Sequence, residues 1–521
     1  MNIFYKQSRF QIINQKNKTM KKILFIAIAG LSLTQLQAQD INDALRYAQD
    51  NLSGTARFRA MGGAFGALGG DLSALNVNPA GSTVFANNQV GISLTNFNTR
   101  NDSNYFGNNT TDKDNKFSLN QAGAAFVFEN RNSDWSKFAI AVNYDVTKNL
   151  SSNIFSAGTN PNNSISNYFL SYANGVPLST ANGSDYYYGD MYYNEQQAYL
   201  AYESYLINPV SNTANNTQYT SAIPTTGNYY QENSVRTAGY TGKVSFNFAT
   251  QYKNKLSLGI NLNSHYLDYR QNSSFYESNS YINPATDNTN YSVKRLRFNN
   301  DLYTYGRGFS FNLGAIYKPV KEVRLGLAYE SPTWFKLNDE LNQNISAVSG
   351  NAGGELNPDS VNPNLTVIFQ PYSLQTPGKW NGSFAYIFGK KGLLSIDYTL
   401  KDYSNTKYKP AGDFSSTNYQ MANVLTKTNE IRIGGEYKIK QLSLRGGYRY
   451  EQSPYKNGYT IGDLHAYSGG FGFNFGSTKL DLAYTYSKRA YNQQLFSQGL
   501  TDSAKINSLN NNVTLTLLFE L

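Results

Sequence analysis

Residues 393–401 read Leu-Leu-Ser-Ile-Asp-Tyr-Thr-Leu-Lys. In an extended chain Leu394, Ile396, Tyr398 and Leu400 fall on one side, and Ser395, Asp397, Thr399 and Lys401 on the other. A period of two with one wholly apolar side is a half-buried β-strand. Charges opposite the apolar side suit lipid outside and a polar lumen inside. The pattern recurs: Leu256, Leu258, Ile260 and Leu262 oppose Ser257, Asn261, Asn263 and His265. Ile431, Ile433, Tyr437 and Ile439 oppose Arg432, Glu436 and Lys438, and Leu442, Leu444, Tyr448 and Tyr450 oppose Ser443, Arg445, Arg449 and Glu451. A soluble sandwich, whose apolar face is a core, would alternate in the same way.

Connection lengths separate the two. About fourteen strands are expected, beginning near Asn87, Phe117, Lys137, Ser234, Leu256, Phe298, Val323, Pro371, Leu393, Thr426, Gln441, His465, Lys479 and Leu509. Short turns are expected at Asn130 to Ser136, Lys253 to Lys255, Lys318 to Glu322, Gly389 to Gly392, Ile439 to Gln441 and Gly476 to Thr478. Between them lie long polar loops: Thr99 to Lys116, Asn149 to Asn233, Glu277 to Arg297, Asn338 to Asn364, Asn405 to Leu425, Gln452 to Leu464 and Tyr491 to Ser508. A sandwich has no reason to alternate short and long. The expected fold is all-β, a transmembrane antiparallel barrel with both ends on the short-turn, periplasmic side. The chain ends as a strand, with Val513, Leu515, Leu517, Phe519 and Leu521 on one face.

Composition agrees. The 521 residues include 43 Tyr and 30 Phe, and only 15% are charged. A mean hydropathy of −0.51 leaves no room for a bundle of membrane helices. With no cysteine there is no disulfide, thiolate metal site or Cys nucleophile. Six of the ten surplus positive charges (Lys6, Arg9, Lys16, Lys18, Lys21, Lys22) precede residue 40, leaving +4, so nucleic-acid binding is not inferred. Met20-Lys21-Lys22 and the apolar run Ile23 to Leu36 read as a signal peptide cleaved near Ala38, with Met20 as the expected start. The expected divisions are 1–38 signal peptide, 39–86 a plug or hatch, and 87–521 barrel.

The hatch is read from Ser53–Phe85, SGTARFRAMGGAFGALGGDLSALNVNPAGSTVF. Its glycines make a poor helix, it lacks a period of two, and it is too apolar for a solvated linker. Asp40 to Asp50 before it suggests a short helical turn. Arg59, Gly62, Gly63, Gly70, Asp71, Asn78, Pro79, Ala80 and Gly81, ahead of Thr83-Val84-Phe85 and a barrel of about fourteen strands, carry a resemblance. The chain resembles the FadL-type outer-membrane transporters of long-chain fatty acids and aromatic hydrocarbons. That resemblance implies an N-terminal hatch that gates passive uptake of hydrophobic small molecules, and a side exit formed by a bend in the third strand. Here the third strand, Lys137 to Lys148, has neither Gly nor Pro to mark a bend. The hatch residues are taken as gate residues; the plain alternative is a static plug.

Three further groups are candidates. Tyr192, Tyr199, Tyr202 and Tyr205, on a helix-like stretch of the longest loop, would offer an apolar surface with wet edges, or a self-packed cap. Arg432, Arg445 and Arg449 could hold a carboxylate head group, or brace the barrel with Glu436 and Glu451. Pro332 marks either a break in the seventh strand or its end near the rim, with Trp334 and Phe335 in the aromatic girdle. His265 and His465 have no nucleophile motif beside them, and Asp112 to Asn115 is too short for a calcium loop, so neither enzyme, metal nor cofactor is expected. Expected partners are the hydrophobic substrate, outer-membrane lipid and lipopolysaccharide, and the barrel-assembly machinery. Rival readings are a structural or adhesive barrel with a shut lumen, a general porin, and a haem receptor.

Overall fold

The computed structural model describes residues 39–521 apart from 226, 280–290 and 352. The signal peptide expected over 1–38 lies outside the described residues.

Fourteen strands close into an antiparallel barrel. β1 is Gln89–Tyr105, β2 Asn108–Glu129, and β3 Trp135–Asn149, continued after a break by Ser152–Asn160. β4 is Tyr229–Tyr252, β5 Leu256–Asn279 and β6 Ser292–Tyr317. β7 has two pieces, Val323–Glu330 and Trp334–Asn351, as does β8, Tyr372–Gln375 and Lys379–Phe388. β9 is Gly392–Asp402, β10 Lys427–Ile439, β11 Leu442–Glu451, β12 Ile461–Asn474, β13 Thr478–Gln494 and β14 Ser503–Glu520. β14 returns to β1, with Gln89 opposite Glu520 and Asn104 opposite Lys505. Closure pairs the first strand with the last, so neither is left as an edge that lipid would leave unpaired.

Side-chain direction follows the alternation. On β9, Leu394, Ile396 and Tyr398 are 52%, 47% and 43% exposed, while Ser395 and Asp397 are fully buried. Ile431, Ile433, Val513 and Leu515 are likewise exposed, and Asn261, Asn263, Thr514 and Thr516 buried. A continuous apolar belt around the outside is tolerated only against lipid.

Several expected loops are ladder. Thr99 to Lys116 is the end of one hairpin, in which β1 and β2 pair without a gap to Tyr105–Asn108 and turn at Phe106-Gly107. Asn338 to Asn351 continues β7, and the longest loop begins and ends in a ladder, Ser152–Asn160 against Tyr229–Thr237. In these stretches the inward face is buried but largely polar (Thr99, Asn101, Ser103, Asp339, Gln343) and the outward face is polar too, so the apolar alternation is lost. At Pro332 the register against β6 shifts by one residue, from Glu330 opposite Asn312 to Trp334 opposite Phe309. Pro332 is therefore a break within a strand that runs on, not its end. Trp334 points out, but Phe335 is buried inside, so Phe335 is no girdle residue.

The long loop folds into α3 (Ser166–Ala173), α4 (Leu178–Ala181) and α5 (Tyr193–Glu203). With Phe275 and Phe298 from the strand tops and Leu500 from the β13–β14 connection they share an apolar core that caps the mouth. Inside the barrel lies the hatch: helix α1 (Ile41–Ala48), helix α2 (Ala56–Ala60), and 3-10 turns at Leu72–Asn76 and Pro79–Val84.

Candidate functional site

The hatch is seated by backbone approach. Asn78 caps the second 3-10 turn, accepting from Ala80 N at 3.1 Å, and Pro79 takes the first position, where its missing N–H costs nothing. The Asn78 amide donates to the carbonyls of Gly66 (2.7 Å) and Ala315 on β6 (3.0 Å), and Asn247 on β4 donates to Pro79 O at 2.9 Å. Opposite this turn the wall has glycine. A Cβ on Gly259 would stand 2.5 Å from Ala80 N, and one on Gly314 would stand 2.0 Å from Asn78 Oδ1. Gly447 on β11 likewise makes room for Gly62 N.

Within the hatch, Gly62, Gly63 and Gly70 adopt positive φ (62°, 78°, 65°), and Gly70 N donates to Gly81 O at 3.0 Å. Asp71 accepts from Thr55 Oγ1 (2.8 Å) and Ser73 N (2.9 Å); burial raises its carboxyl, partly offset by Arg57 and these donors. Arg59 is 1% exposed, donates to Thr485 Oγ1 at 2.9 Å and lies over Phe97. Among the described residues no carboxylate pairs with it, and burial lowers its guanidinium to about 10.

Charged wall residues grip the hatch. Arg57 donates to Glu436 on β10 at 2.9 Å, and Asp397 on β9 accepts from the N–H groups of Phe65 (3.1 Å) and Gly66 (2.9 Å). Arg324 on β7 donates to Leu68 O at 2.6 Å. Neither Asp397 nor Asn247 stands out in the sequence as a site residue, and their only signal is a polar residue at an inward position.

Arg432, Arg445 and Arg449 are matched within the wall. Arg445 bonds Glu436 and Asp481, Arg449 bonds Glu430 and Glu451, and Arg432 bonds Glu430. This is the bracing arrangement; of the three only Arg432 reaches the cavity below α1. Tyr199 and Tyr202 pack half-buried on the cap core, whereas Tyr192 and Tyr205 at the ends of α5 are exposed. The four tyrosines do not form one surface.

The cavity holds about 100 Å³, under the C-terminal end of α1 and above the rest of the hatch. Tyr47, Ala48, Leu52, Phe58 and Phe335 line it, together with Asp50, Asp145, Lys243 and His265. Asp50 pairs with Lys379 (3.1 Å) and Lys401 (3.4 Å). Burial alone would raise the Asp50 carboxyl, but these two ammonium groups hold it well below the ordinary carboxylate range. His265 Nε2 lies 2.8 Å from Ser310 Oγ, brought from the neighbouring strand. Ser310 is fully buried and also bonds Asn263, so it offers no accessible nucleophile.

One wall of the cavity is an open edge. β2 pairs with β3 only as far as Gln121 opposite Asp145, although β1 holds β2 down to Asn108. Above that pair, β3 and its continuation are laddered to β4 alone. The continuation crosses to the hairpin of β1 and β2 through side chains, Asn101 donating to Asn153 O at 2.7 Å and Asn108 to Ala157 O at 2.9 Å. So the third strand does leave its neighbour, just above Asp145 and without Gly or Pro, while its ladder to β4 is interrupted only at Leu150-Ser151. The hatch segment 50–54 lies across the opening. Asn51 N donates to Thr147 O (3.3 Å), Ser53 Oγ bonds Asn120 Oδ1 (2.6 Å) and Val146 O, and Asn120 Nδ2 donates to Gly54 O (2.6 Å).

Residues 201–515 match the family model described as outer membrane protein transport protein (OMPP1/FadL/TodX). Among solved structures, a FadL homologue from Pseudomonas aeruginosa superposes with a TM-score of 0.51 at 13% identity, covering 91% of this chain and 99% of that one. The toluene transporter TodX of P. putida gives a TM-score of 0.50 at 15% identity, covering 90% and 99%. At these identities the likeness is one of fold. No curated protein matches the sequence.

Proposed function

The chain belongs to the OMPP1/FadL/TodX family of outer-membrane transport proteins, and from that premise we propose that it takes up long-chain fatty acids or aromatic hydrocarbons passively, with its hatch as the gate. The observation that carries this reading is the open edge above Gln121 and Asp145, with segment 50–54 bonded across it beside the cavity. Ligand captured at the capped mouth enters the upper lumen. The hatch then gives way, and the ligand leaves sideways into lipid between β2 and β3. The leader directs export, the barrel-assembly machinery inserts the barrel through β14, and the apolar belt sits among outer-membrane lipid and lipopolysaccharide. No cofactor is needed for movement down a gradient.

The test is uptake of labelled long-chain fatty acid by a Gram-negative host lacking its own fatty-acid transporter. It carries either this chain or a variant with Asn78-Pro79-Ala80 replaced by Gly-Ser-Gly, at matched surface expression. Uptake with the first that falls with the second supports a gated channel. No uptake of fatty acid or of a labelled aromatic hydrocarbon by the well-inserted parent overturns the reading in favour of a shut, adhesive barrel. Steady ion conductance by the parent would make it a porin instead.

A further inference from the structure

Four cations stand together on the outside of the wall. Arg307 on β6 is paired in register with Lys336 on β7, Lys336 with Ser373 on β8, and Ser373 with Lys409. Lys409 ends a short strand, Lys407–Lys409, which the β9–β10 connection lays beside β8. Lower on the wall, Lys407 pairs with Gln375, Gln375 with Trp334, and Trp334 with Phe309. Alternation fixes the direction of each side chain. Phe335, Leu374 and Tyr408 turn in and are buried, so Arg307, Lys336, Lys407 and Lys409 turn out, and all four are exposed. Three inter-strand steps carry the upper row from Arg307 to Lys409, about 14 Å.

Like charges directly opposite on neighbouring strands repel, so this crowding asks for an anion. Elsewhere on the outside such charge is answered or spaced. Asp102 lies 2.9 Å from Arg100, and the Arg270 guanidinium stacks 4.1 Å from the centre of the Tyr303 ring. Leu509 stands in register between Arg100 and Lys488. Among the described residues, Arg307, Lys336, Lys407 and Lys409 have neither a carboxylate within ion-pair reach nor a side-chain hydrogen bond.

Their height on the wall says what kind of anion fits. The outward face of β6 carries Tyr317, Leu313, Phe311 and Phe309, and then Arg307. That of β7 carries Leu325, Leu327, Tyr329 and Trp334, and then Lys336. The cations therefore begin where the apolar belt and its aromatic rim end, on the long-loop side, at the level of lipid head groups. A free anion in water would use the cations and ignore Phe309 and Trp334. An anionic lipid uses both, with its head among the cations and its acyl chains down the belt. Arginine offers phosphate oxygens a planar fork, and lysine a mobile point charge.

We propose that Arg307, Lys336, Lys407 and Lys409 form a site for the phosphorylated sugar head of one lipid A molecule of the outer leaflet, held against β6, β7 and β8. The site stands apart from the hatch and does not depend on whether the hatch gates.

The test uses the full chain, purified in detergent. Probes are lipid A bearing both phosphates, the same lipid A after phosphatase treatment, and inorganic phosphate. Native mass spectrometry counts the lipids retained per chain. One bisphosphorylated lipid A per chain is expected, with the dephosphorylated form held at least tenfold more weakly. Arg307→Gln combined with Lys336→Gln is expected to weaken lipid A binding at least tenfold, and Lys336→Arg to preserve it. Lys321→Gln combined with Lys390→Gln removes the same charge from exposed short turns at the opposite end of the barrel, and is expected to change nothing. Native heat-modifiable migration checks that each variant is folded. Failure of the parent to retain lipid A overturns the proposal. Equal weakening by the two double variants does so too, since the effect would then be one of net charge. Equal retention of dephosphorylated lipid A shows that the belt alone holds the lipid and that the lysines only keep a strand edge in water, which also overturns it. Inorganic phosphate that displaces lipid A at equal concentration overturns the lipid as the source of the anion.

Discussion

Gly314 on β6 faces Asn78 of the hatch so closely that a methyl group on Gly314 would lie 2.0 Å from Asn78 Oδ1. The wall is bare of side chain where the hatch turn is seated. Gly314→Ala must push the turn off its site or bend β6, and overpacking of this kind costs about 1–3 kcal/mol. The expected result is a barrel that still inserts but leaks, read as raised single-channel conductance. Gly382→Ala, which meets nothing within 4 Å, is the silent control.

Arg57 and Arg445 share Glu436, whose side chain is 1% exposed. Removing Arg57 leaves Glu436 paired with Arg445, so Arg57→Gln should cost less than an orphaned buried charge, about 1–2 kcal/mol against the 3–5 kcal/mol of a fully broken pair. Amide exchange across residues 55–63 is the measurement, and it should quicken there without change in β14.

Asp50 sets a pH dependence with a definite sign. Its carboxyl is held below the ordinary value, so the contribution of its pairs with Lys379 and Lys401 is complete above about pH 4 and fades only as pH falls through the depressed value. Segment 50–54 should therefore keep constant exchange protection from pH 5 to pH 8, after correction for intrinsic rates. Asp50→Asn should lose that protection at every pH in the range.

Ser53 meets Asn120 across the open edge. In the cysteine-free chain, Ser53→Cys with Asn120→Cys joined by a short thiol cross-linker should cut hydrophobic uptake at least tenfold, and a reducible linker should restore it on cleavage. Unimpaired uptake in fully cross-linked protein would place the exit elsewhere.

Much of the barrel was legible because lipid and lumen impose opposite demands on successive residues. Leu394 and Asp397 announce their faces wherever they stand. The upper hairpin of β1 and β2 was hidden because Asn104, Asn109 and Thr111 meet water either way; Phe106-Gly107 was the remaining turn signal. The break at Leu150-Ser151 was hidden for another reason. Like the parting of β2 from β3 above Asp145, it is a matter of which ladder bonds are made, with β4 paired on both sides of it, and no residue type encodes that. The hatch announced itself through glycine and Asn-Pro-Ala, but its seat did not. Gly259, Gly314 and Gly447 are visible in sequence as interruptions of strands, while their meaning lies in Pro79, Asn78 and Gly62, far along the chain. The arginines illustrate the same limit, since parity places Arg445 in the lumen but cannot show that Glu436 and Asp481 already occupy it.

Only residues 85–88 separate the last turn of the hatch from β1. Asn87 bonds Glu520, and Leu521 N donates to Asn88 O at 2.8 Å, so even that short leash is sewn to the closing seam of the barrel. Four residues reach about 14 Å at full stretch. A hatch that gated the barrel as proposed would therefore act as a lever with its fulcrum at the Asn78 end. Its travel would be smallest at the Asn-Pro-Ala turn and greatest at α1, more than thirty residues away along the chain. Such an arm would stay leashed to the seam however often it swung.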